Sequence, residues 1–387
     1  MNTGLITDPM TLQEALSSGR IVAGCVIYLR GGIYSGDFST SLNGTFDNLI
    51  TIQPYQNEKP IIDGSLLLNG SYLRIKNVEI KYTGWTTRLS AIEGSNPTDM
   101  PQNSLTVNTI GVELVNCIIH DLLGYDLWKP AINAKMYGCL VYNIGWNSIL
   151  GTRGHGHSIY TQNETGRKLI KRNIFCNSFG YGWHAYTENE HIDNFDFIEN
   201  TSFGSGKNYI GGKTPCLIGG LVDSNTSTID KNMFYQNGLQ LGYGGHDVID
   251  FTLTNNYAPS GISIDAGSTF IINSGNTTSA PESGKRVFVT DNEYQSDRAQ
   301  VTIYNWDNDD SVEVDLTTIT GLSVGDSIIF HCAENYHDCT QTLTLDTNKK
   351  VVVDMRAVSH TVATAIGHDY TPPTTFPTFG CFVVKKA

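Results

Sequence analysis

One short unit recurs along the chain and limits what it can fold into more than any other feature: an Asn or Gly, then apolar residues at alternating positions, then a polar turn. It reads NVEIKYTG from Asn77, NCIIHDLLG from Asn116, GCLVYNIG from Gly138 and NIFCNSFG from Asn173. It returns as NTSFGSG from Asn200, NMFYQNG from Asn232, NNYAPSG from Asn255 and NEYQSD from Asn292. Successive units begin 39, 22, 35, 27, 32, 23 and 37 residues apart, a floor near 22 with variable excess. A coil of short strands gives such a floor, because each circuit has a minimal path and extra residues loop out at a corner. Strands of 3–5 residues with no helical periodicity between them exclude alternating β and α units. In such a solenoid each rung covers the next, and inward side chains form continuous apolar stacks. The Asn that opens a unit is expected at a corner, its side chain bonded to the backbone of the neighbouring rung. With 39 Gly and 32 Asn in 387 residues, the chain has the left-handed backbone and self-bonded turns that many tight corners need.

The two ends differ from the middle. TLQEALSSG, residues 11–19, puts Leu12, Ala15 and Leu16 on one helical face. Residues 1–20 are therefore read as a cap over the open strand edge of the first rung. VIYLRGGIYSG and NLITIQPY follow as the first strands. Near residue 285 the texture changes to longer alternating strands, as in AQVTIYNWDNDDSVEVDLTTITGLSVGDSIIFHC. A small C-terminal β-sandwich over 298–387 is expected, with GLSVGDS as a hairpin-type turn, leaving 1–297 to the coil.

A net charge of −13 argues against nucleic acid as a partner, because neutralising phosphates takes clustered Lys and Arg. No run approaches the roughly 18 apolar residues of a membrane helix, so no membrane partner is expected. The opening MNTGLITDPM has no basic stretch followed by an apolar one, so no signal peptide is visible. The eight cysteines show no CxxC spacing, which argues against a zinc ribbon or a thioredoxin-type site. Cys117, Cys139 and Cys176 read as buried packing. Cys332 and Cys339 flank the polar loop AENYHD, either as a disulfide or as two free thiols.

Groups suited to chemistry gather in the middle of the chain. GTRGHGHSIYTQNETG supplies Arg153, His155, His157, Tyr160 and Gln162, and YGWHAYTENEH supplies Trp183, His184, Tyr186, Glu188 and His191. Tyr160 and His184 are 24 residues apart, close to the floor interval, so the two segments are expected on adjacent rungs. Strands stacked about 4.8 Å apart bring equivalent side chains together. YDLWKPAINAK adds Asp126, Trp128 and Lys129, and YIGGKTP adds Lys213. Histidine moves protons near neutral pH, tyrosine can serve as a second proton-transfer group, and Arg or Lys can hold a carboxylate. Plainer roles stand beside these: His155 as a turn filler, His157 and His184 as hydrogen-bonded wall residues, and Trp128 and Trp183 as aromatics that stabilise rungs. Two histidines at i and i+2 without a third fixed ligand are a weak metal signal.

RGHGHSIYTQN, the run from Thr165 to Phe175 and FGYGWHAYTEN resemble bacterial and phage-associated β-helix repeat proteins. The Asn-led coil as a whole resembles the right-handed parallel β-helix proteins of the pectate-lyase-like superfamily, over roughly residues 10–295. The tail beginning VTIYNWDNDDSVEVDL is similar to a β domain that accompanies some of them. The resemblance implies an all-β fold class: a right-handed parallel β-helix with an N-terminal capping helix and a small C-terminal β-sandwich. It also implies a carbohydrate-active protein, extracellular or virion-associated, with a polysaccharide partner. The reaction does not follow, since sites are grafted onto a common scaffold. The chain lacks the clustered Asp pattern of polygalacturonases, the DPH motif of alginate epimerases and a compelling acidic ladder of the calcium-dependent pectate lyases. No cofactor is expected, with calcium left open, and the oligomeric state is open as well.

The residues themselves favour β-elimination on a uronate-containing glycan. His157 or His184 would take the C5 proton, Tyr160 would protonate the leaving oxygen, and Arg153 with Lys213 or Lys129 would hold the substrate carboxylate. Trp128, Trp183, Tyr186, Glu188 and Asp126 would line the groove. A glycoside hydrolase built on Asp126 and Glu188 is the first alternative, and a non-catalytic glycan-binding or tailspike module the second. The overall acidity would slow the approach of a polyanion, although local basic groups can outweigh it within about 8 Å.

Overall fold

The computed structural model describes residues 4–92, 94, 97–149, 156–208 and 215–387. Among them, ten strands from Val26–Leu29 to Phe270–Ser274 form sheet A. Eight strands from Gly32–Ser35 to Met233–Tyr235 form sheet B, and nine from Phe38–Thr40 to Ile262–Ile264 form sheet C. The chain visits the three sheets in turn, and each strand pairs in parallel with its counterpart one circuit later. The result is a right-handed parallel β-helix, the hand that parallel crossovers take almost without exception.

Alternation along each strand sends every second side chain inward, and in-register stacking lines these up. One file on sheet A runs from Ile27 through Ile52, Ile75, Leu114 and Met136 to Ile170, Phe197, Ile229 and Leu253. All its members are buried. Each such side chain contributes about 1.5–3 kcal/mol by leaving water.

A single left-handed residue turns the chain from sheet A to sheet B. Asn77, Asn116, Arg172, Glu199, Lys231 and Asn255 hold φ between 51° and 58°, and Gly138 and Gly275 hold the same place at 65° and 71°. The residue after each turn points inward and forms a ladder. The Asn200 Oδ1 accepts from the Asn173 backbone N–H (2.9 Å) and from its side-chain amide (3.0 Å). Asn232 receives the same pair from Asn200, Asn256 from Asn232, and Asn276 from Asn256. Each amide also donates to a sheet A carbonyl, for example Asn200 to Ile170 at 2.7 Å and Asn232 to Phe197 at 2.8 Å.

The ladder corrects two expectations. Asn77, Asn116 and Asn255 supply the left-handed turn rather than the rung-to-rung bond, so the visible Asn starts mix two adjacent positions. Cys117 and Cys139 are more than packing. The Cys139 N–H donates to Asn173 Oδ1 (2.9 Å), the Cys117 N–H donates to the Cys139 sulfur (3.3 Å), and the Cys139 thiol donates to the Leu114 carbonyl (3.6 Å). The thiols continue the file of amides by the same pattern of accepting and donating.

At the N-terminus a short helix, Leu12–Leu16, carries a Thr11/Glu14 capping box and buries Leu12 and Leu16 on the first rung. At the other end the antiparallel five-stranded sheet starts with Lys285–Asp291, upstream of residue 298. Asn292 is therefore not a rung start. It lies between Lys285–Asp291 and Arg298–Asn305 and exchanges two amide hydrogen bonds with Asn116 (2.7 and 3.3 Å). Arg298–Asn305 is buried along its whole length. One side of this sheet shares a core with the small sheet of Ser311–Asp315 and Lys350–Asp354. The other side packs Tyr304, Phe379 and Val383 on the outer face of sheet B against Tyr142, Phe203 and Met233. Cys332 and Cys339 are free thiols.

The ladder gives a position-dependent expectation. Asn232→Ala leaves buried donors and acceptors on two rungs unpaired and is expected to cost about 2–4 kcal/mol. Asn276→Ala, at the half-buried end of the file where water can substitute, is expected to cost well under half of that. Urea unfolding of the two variants measures the difference.

Candidate active site

Sheet C places the site. Its strands Gly124–Leu127, Tyr160–Thr161 and His184–Ala185 pair in register, with Asp126 beside Tyr160 and Tyr160 beside His184. Leu127, Thr161 and Ala185 point into the coil, so Asp126, Tyr160 and His184 form an outward row across three rungs. The two stretches around 157–162 and 181–188 are therefore neighbouring rungs on one wall, called the trough below, where Asp126, His157 and Tyr160 are half-buried while His184 (8% exposed) and Tyr186 (9%) are buried.

Aromatic packing fixes the rings of this row. The His184 imidazole lies between Tyr181 (4.4 Å, 5° from parallel) and Tyr186 (4.8 Å, 7°). His157 packs 4.1 Å from His184, Tyr160 5.4 Å from it, and Trp128 5.4 Å from Tyr160. His157 Nδ1 accepts the Tyr181 backbone N–H at 2.9 Å. With Nδ1 used as an acceptor, the neutral ring carries its proton on Nε2 and offers it as a donor. Gly180 makes room for this ring, since a Cβ there would stand 2.3 Å from His157 Nδ1. Gly156, whose φ is +81°, lies close against another stretch of backbone, where a Cβ would stand 1.9 Å from the Gly145 Cα.

Burial sets the protonation states of the row. The Asp126 carboxyl is pushed up to about 7 by burial, with no charged partner among the described residues offsetting it. The Tyr160 phenol is pushed up to about 12, again chiefly by burial, against a smaller opposing effect of the Gln162 hydrogen bond. At neutral pH Tyr160 therefore holds its proton and Asp126 is divided between its two forms.

Other candidates fall elsewhere. Trp183 is a correction: the same alternation that turns His184 outward turns Trp183 inward, where it is fully buried against Phe175, Phe197 and Phe234. Lys129 is ion-paired with Glu190 (2.5 Å) and Glu164 (3.5 Å), so its charge is engaged on the rim. Glu188 is exposed just beyond Tyr186. Arg153, His155 and Lys213 lie outside the described residues. Among the described residues the trough gathers no three His, Cys, Asp or Glu ligand atoms of the kind that hold a metal.

Lys168 was missed by the sequence reading. It occupies an inward position, in step with Ile170, and is fully buried. Its ammonium donates to the carbonyls of Leu127 (3.0 Å), Trp128 (2.5 Å) and Gln162. Those carbonyls close the two strands that carry Asp126 and Tyr160, so Lys168 clamps two rungs of the trough from beneath. A lysine at an apolar file position in RKLIKRN is the sequence signal that marks it.

The sequence matches no protein-family model, and no curated protein matches it. Among solved structures the chain is similar to pectate lyase Pel9A, at 12% identity over 72% of this chain and 78% of that one, with a TM-score of 0.47. It is also similar to the GH136 lacto-N-biosidase from Eubacterium ramulus, at 13% over 72% and 66%, TM-score 0.38. A third is a mannuronic acid-specific polysaccharide family 6 lyase from human gut microbiota, at 13% over 67% and 79%, TM-score 0.25. At these values the likenesses carry no argument about chemistry. The strand pairing itself defines the class as a right-handed parallel β-helix.

Asp126 yields a signed expectation. A carboxyl whose folded pKa lies above its unfolded value of about 3.9 costs the fold nothing below that value and progressively more as pH rises to 7. Asp126→Asn is expected to raise the melting temperature above pH 7 and to leave it unchanged below pH ~4. Thermal scans across that range test it.

Proposed function

We propose that this protein is a polysaccharide-cleaving enzyme and that it breaks a uronate-containing glycan by β-elimination in the trough of sheet C. The observation that carries this is the in-register row Asp126–Tyr160–His184 with His157 packed against it.

His184 is the base. It removes the C5 proton, and the imidazolium that forms is flanked by the faces of Tyr181 and Tyr186, a favourable setting for a cation. Tyr160, still protonated at neutral pH, gives its proton to the bridging oxygen as the C4–O bond breaks and the C4–C5 double bond forms. His157 is a donor rather than a base, because its Nδ1 is already an acceptor. Its Nε2–H, together with Asp126 in its protonated form, offers hydrogen bonds to the substrate carboxylate as charge builds there. Trp128, half-buried, supplies a flat face for a sugar ring, whereas Tyr186 is buried against His184 and Tyr243 and supports the base instead.

One observation favours a second reaction. A carboxyl raised to about 7 by burial is the property of a glycosidase general acid, and Glu188 is the exposed carboxylate that would pair with it.

The two reactions separate in one experiment. Incubation with a panel of polyuronates, glycosaminoglycans and neutral glycans is expected to release products with the ultraviolet absorbance of an unsaturated uronate. Saturated products heavier by one water favour hydrolysis, and no product from any glycan removes both. Tyr160→Phe and His184→Ala are each expected to lower kcat by about 10²–10⁴-fold with the fold intact by circular dichroism. In β-elimination kcat/KM of the native enzyme falls as pH rises past about 7, and Asp126→Asn keeps activity and loses that fall. In hydrolysis Asp126→Asn is inactive at every pH.

A further inference from the structure

A second constellation lies on sheet B, away from the trough, where the C-terminal part meets the coil. Glu79 in Glu79–Lys81 and His120 in Ile118–His120 stand on neighbouring rungs, both on the outer face. His337 comes from the polar loop 333–339 of the C-terminal part. His120 Nε2 is 3.2 Å from one Glu79 oxygen and His337 Nε2 is 3.3 Å from the other. All three ligand atoms lie within 4.8 Å of one another.

The surroundings are those of a built ligand set. The other nitrogen of His120, Nδ1, is 2.8 Å from Asp121 Oδ2. Asp121 is itself held by the buried Arg88 guanidinium (2.7 Å) and by the Ile366 N–H (2.8 Å). The His120 ring lies flat on Tyr142 at 4.5 Å. A carboxylate on the far nitrogen fixes the ring and aims Nε2 at Glu79, which is how metal-binding histidines are oriented, and a bound ion takes the place of the proton that Nε2 otherwise donates to that carboxylate. Two imidazoles with one carboxylate suit a borderline ion such as Zn²⁺ rather than Ca²⁺ or Mg²⁺, which prefer all-oxygen sets. Ligand bonds of ~2.1 Å in a tetrahedron put ligand atoms about 3.4 Å apart; each imidazole already stands that close to one of the two Glu79 oxygens, and one atom from each residue lies within 4.8 Å of the others. The His337 side chain is 45% exposed, so the fourth position opens to water. Lys81, whose ammonium is 2.9 Å from Glu79, competes for that carboxylate.

We propose that Glu79, His120 and His337 bind one divalent ion of the zinc class through the two Nε2 atoms and a Glu79 oxygen, with water completing the shell. The ion staples the loop of the C-terminal part to two rungs of the coil. Its ligands come from residues 79, 120 and 337, so it ties together segments far apart in the chain.

Isothermal titration of the chelator-treated full chain with Zn²⁺, and absorption spectra with Co²⁺, test this directly. One Zn²⁺ per chain, a higher melting temperature with Zn²⁺ and the visible bands of four-coordinate Co²⁺ are expected. His337→Ala changes an exposed loop residue, so it is expected to melt like the native chain without metal. Its Zn²⁺ affinity is expected to fall at least about tenfold, with the Co²⁺ bands lost. Glu79→Gln provides a second variant with the same expectation for binding. Absence of stoichiometric uptake by the native chain overturns the proposal. So does uptake that both variants retain undiminished, which would place the ion elsewhere.

Discussion

The file of side-chain amides inside the coil is the interaction on which the remaining structure depends. A rung of three short strands has little hydrogen bonding of its own, and the turn from sheet A to sheet B leaves backbone groups buried at every circuit. The Asn173–Asn200–Asn232–Asn256–Asn276 ladder satisfies those groups with the neighbouring rung. A buried polar group costs little only when it is paired, so each amide is a reason for the next rung to lie in one register. Cys139 and Cys117 extend the file toward the N-terminus with weaker donors and acceptors.

Register in turn decides what faces the trough. Because side chains alternate, a slip of one residue would send Trp183 out and His184 in. The ladder on one side and the Lys168 clamp on the other hold the strands ending at Leu127 and Thr161 to one alignment. The strands of the site are thus aligned by interior bonds, and the rings they carry are fixed by packing on one another. The burial that raises the Asp126 and Tyr160 pKa values comes from the same close stacking. The C-terminal part occupies the outer face of sheet B, which leaves the trough on a different wall of the coil.

Much of this was legible in the sequence, for physical reasons. The interval floor gives the coil because a circuit has a shortest path, and the 24-residue step from Tyr160 to His184 gives their adjacency because it is near that floor. The helix at Leu12–Leu16 is legible in its apolar face, with Leu12 and Leu16 buried as that face requires. Trp183 was not, because in a two-residue strand no alternation is long enough to tell inside from outside. The ladder cysteines were hidden because a thiol in an apolar run looks like packing. Glu79, His120 and His337 were hidden for a different reason: the topology of two separate folding patterns brings them together, and no spacing in the chain encodes it.

Most of the variable length of the circuits lies at one corner, between sheet B and sheet C, where the chain needs 3 residues from His120 to Gly124 but 22 from Lys81 to Ser104. Ladder partners are nonetheless 20 to 34 residues apart without any change in how they bond. Length at that corner is therefore decoupled from the frame. A lineage can lengthen, trade or shorten these corner segments, which border the trough, and so reshape its rim while inheriting the scaffold unaltered.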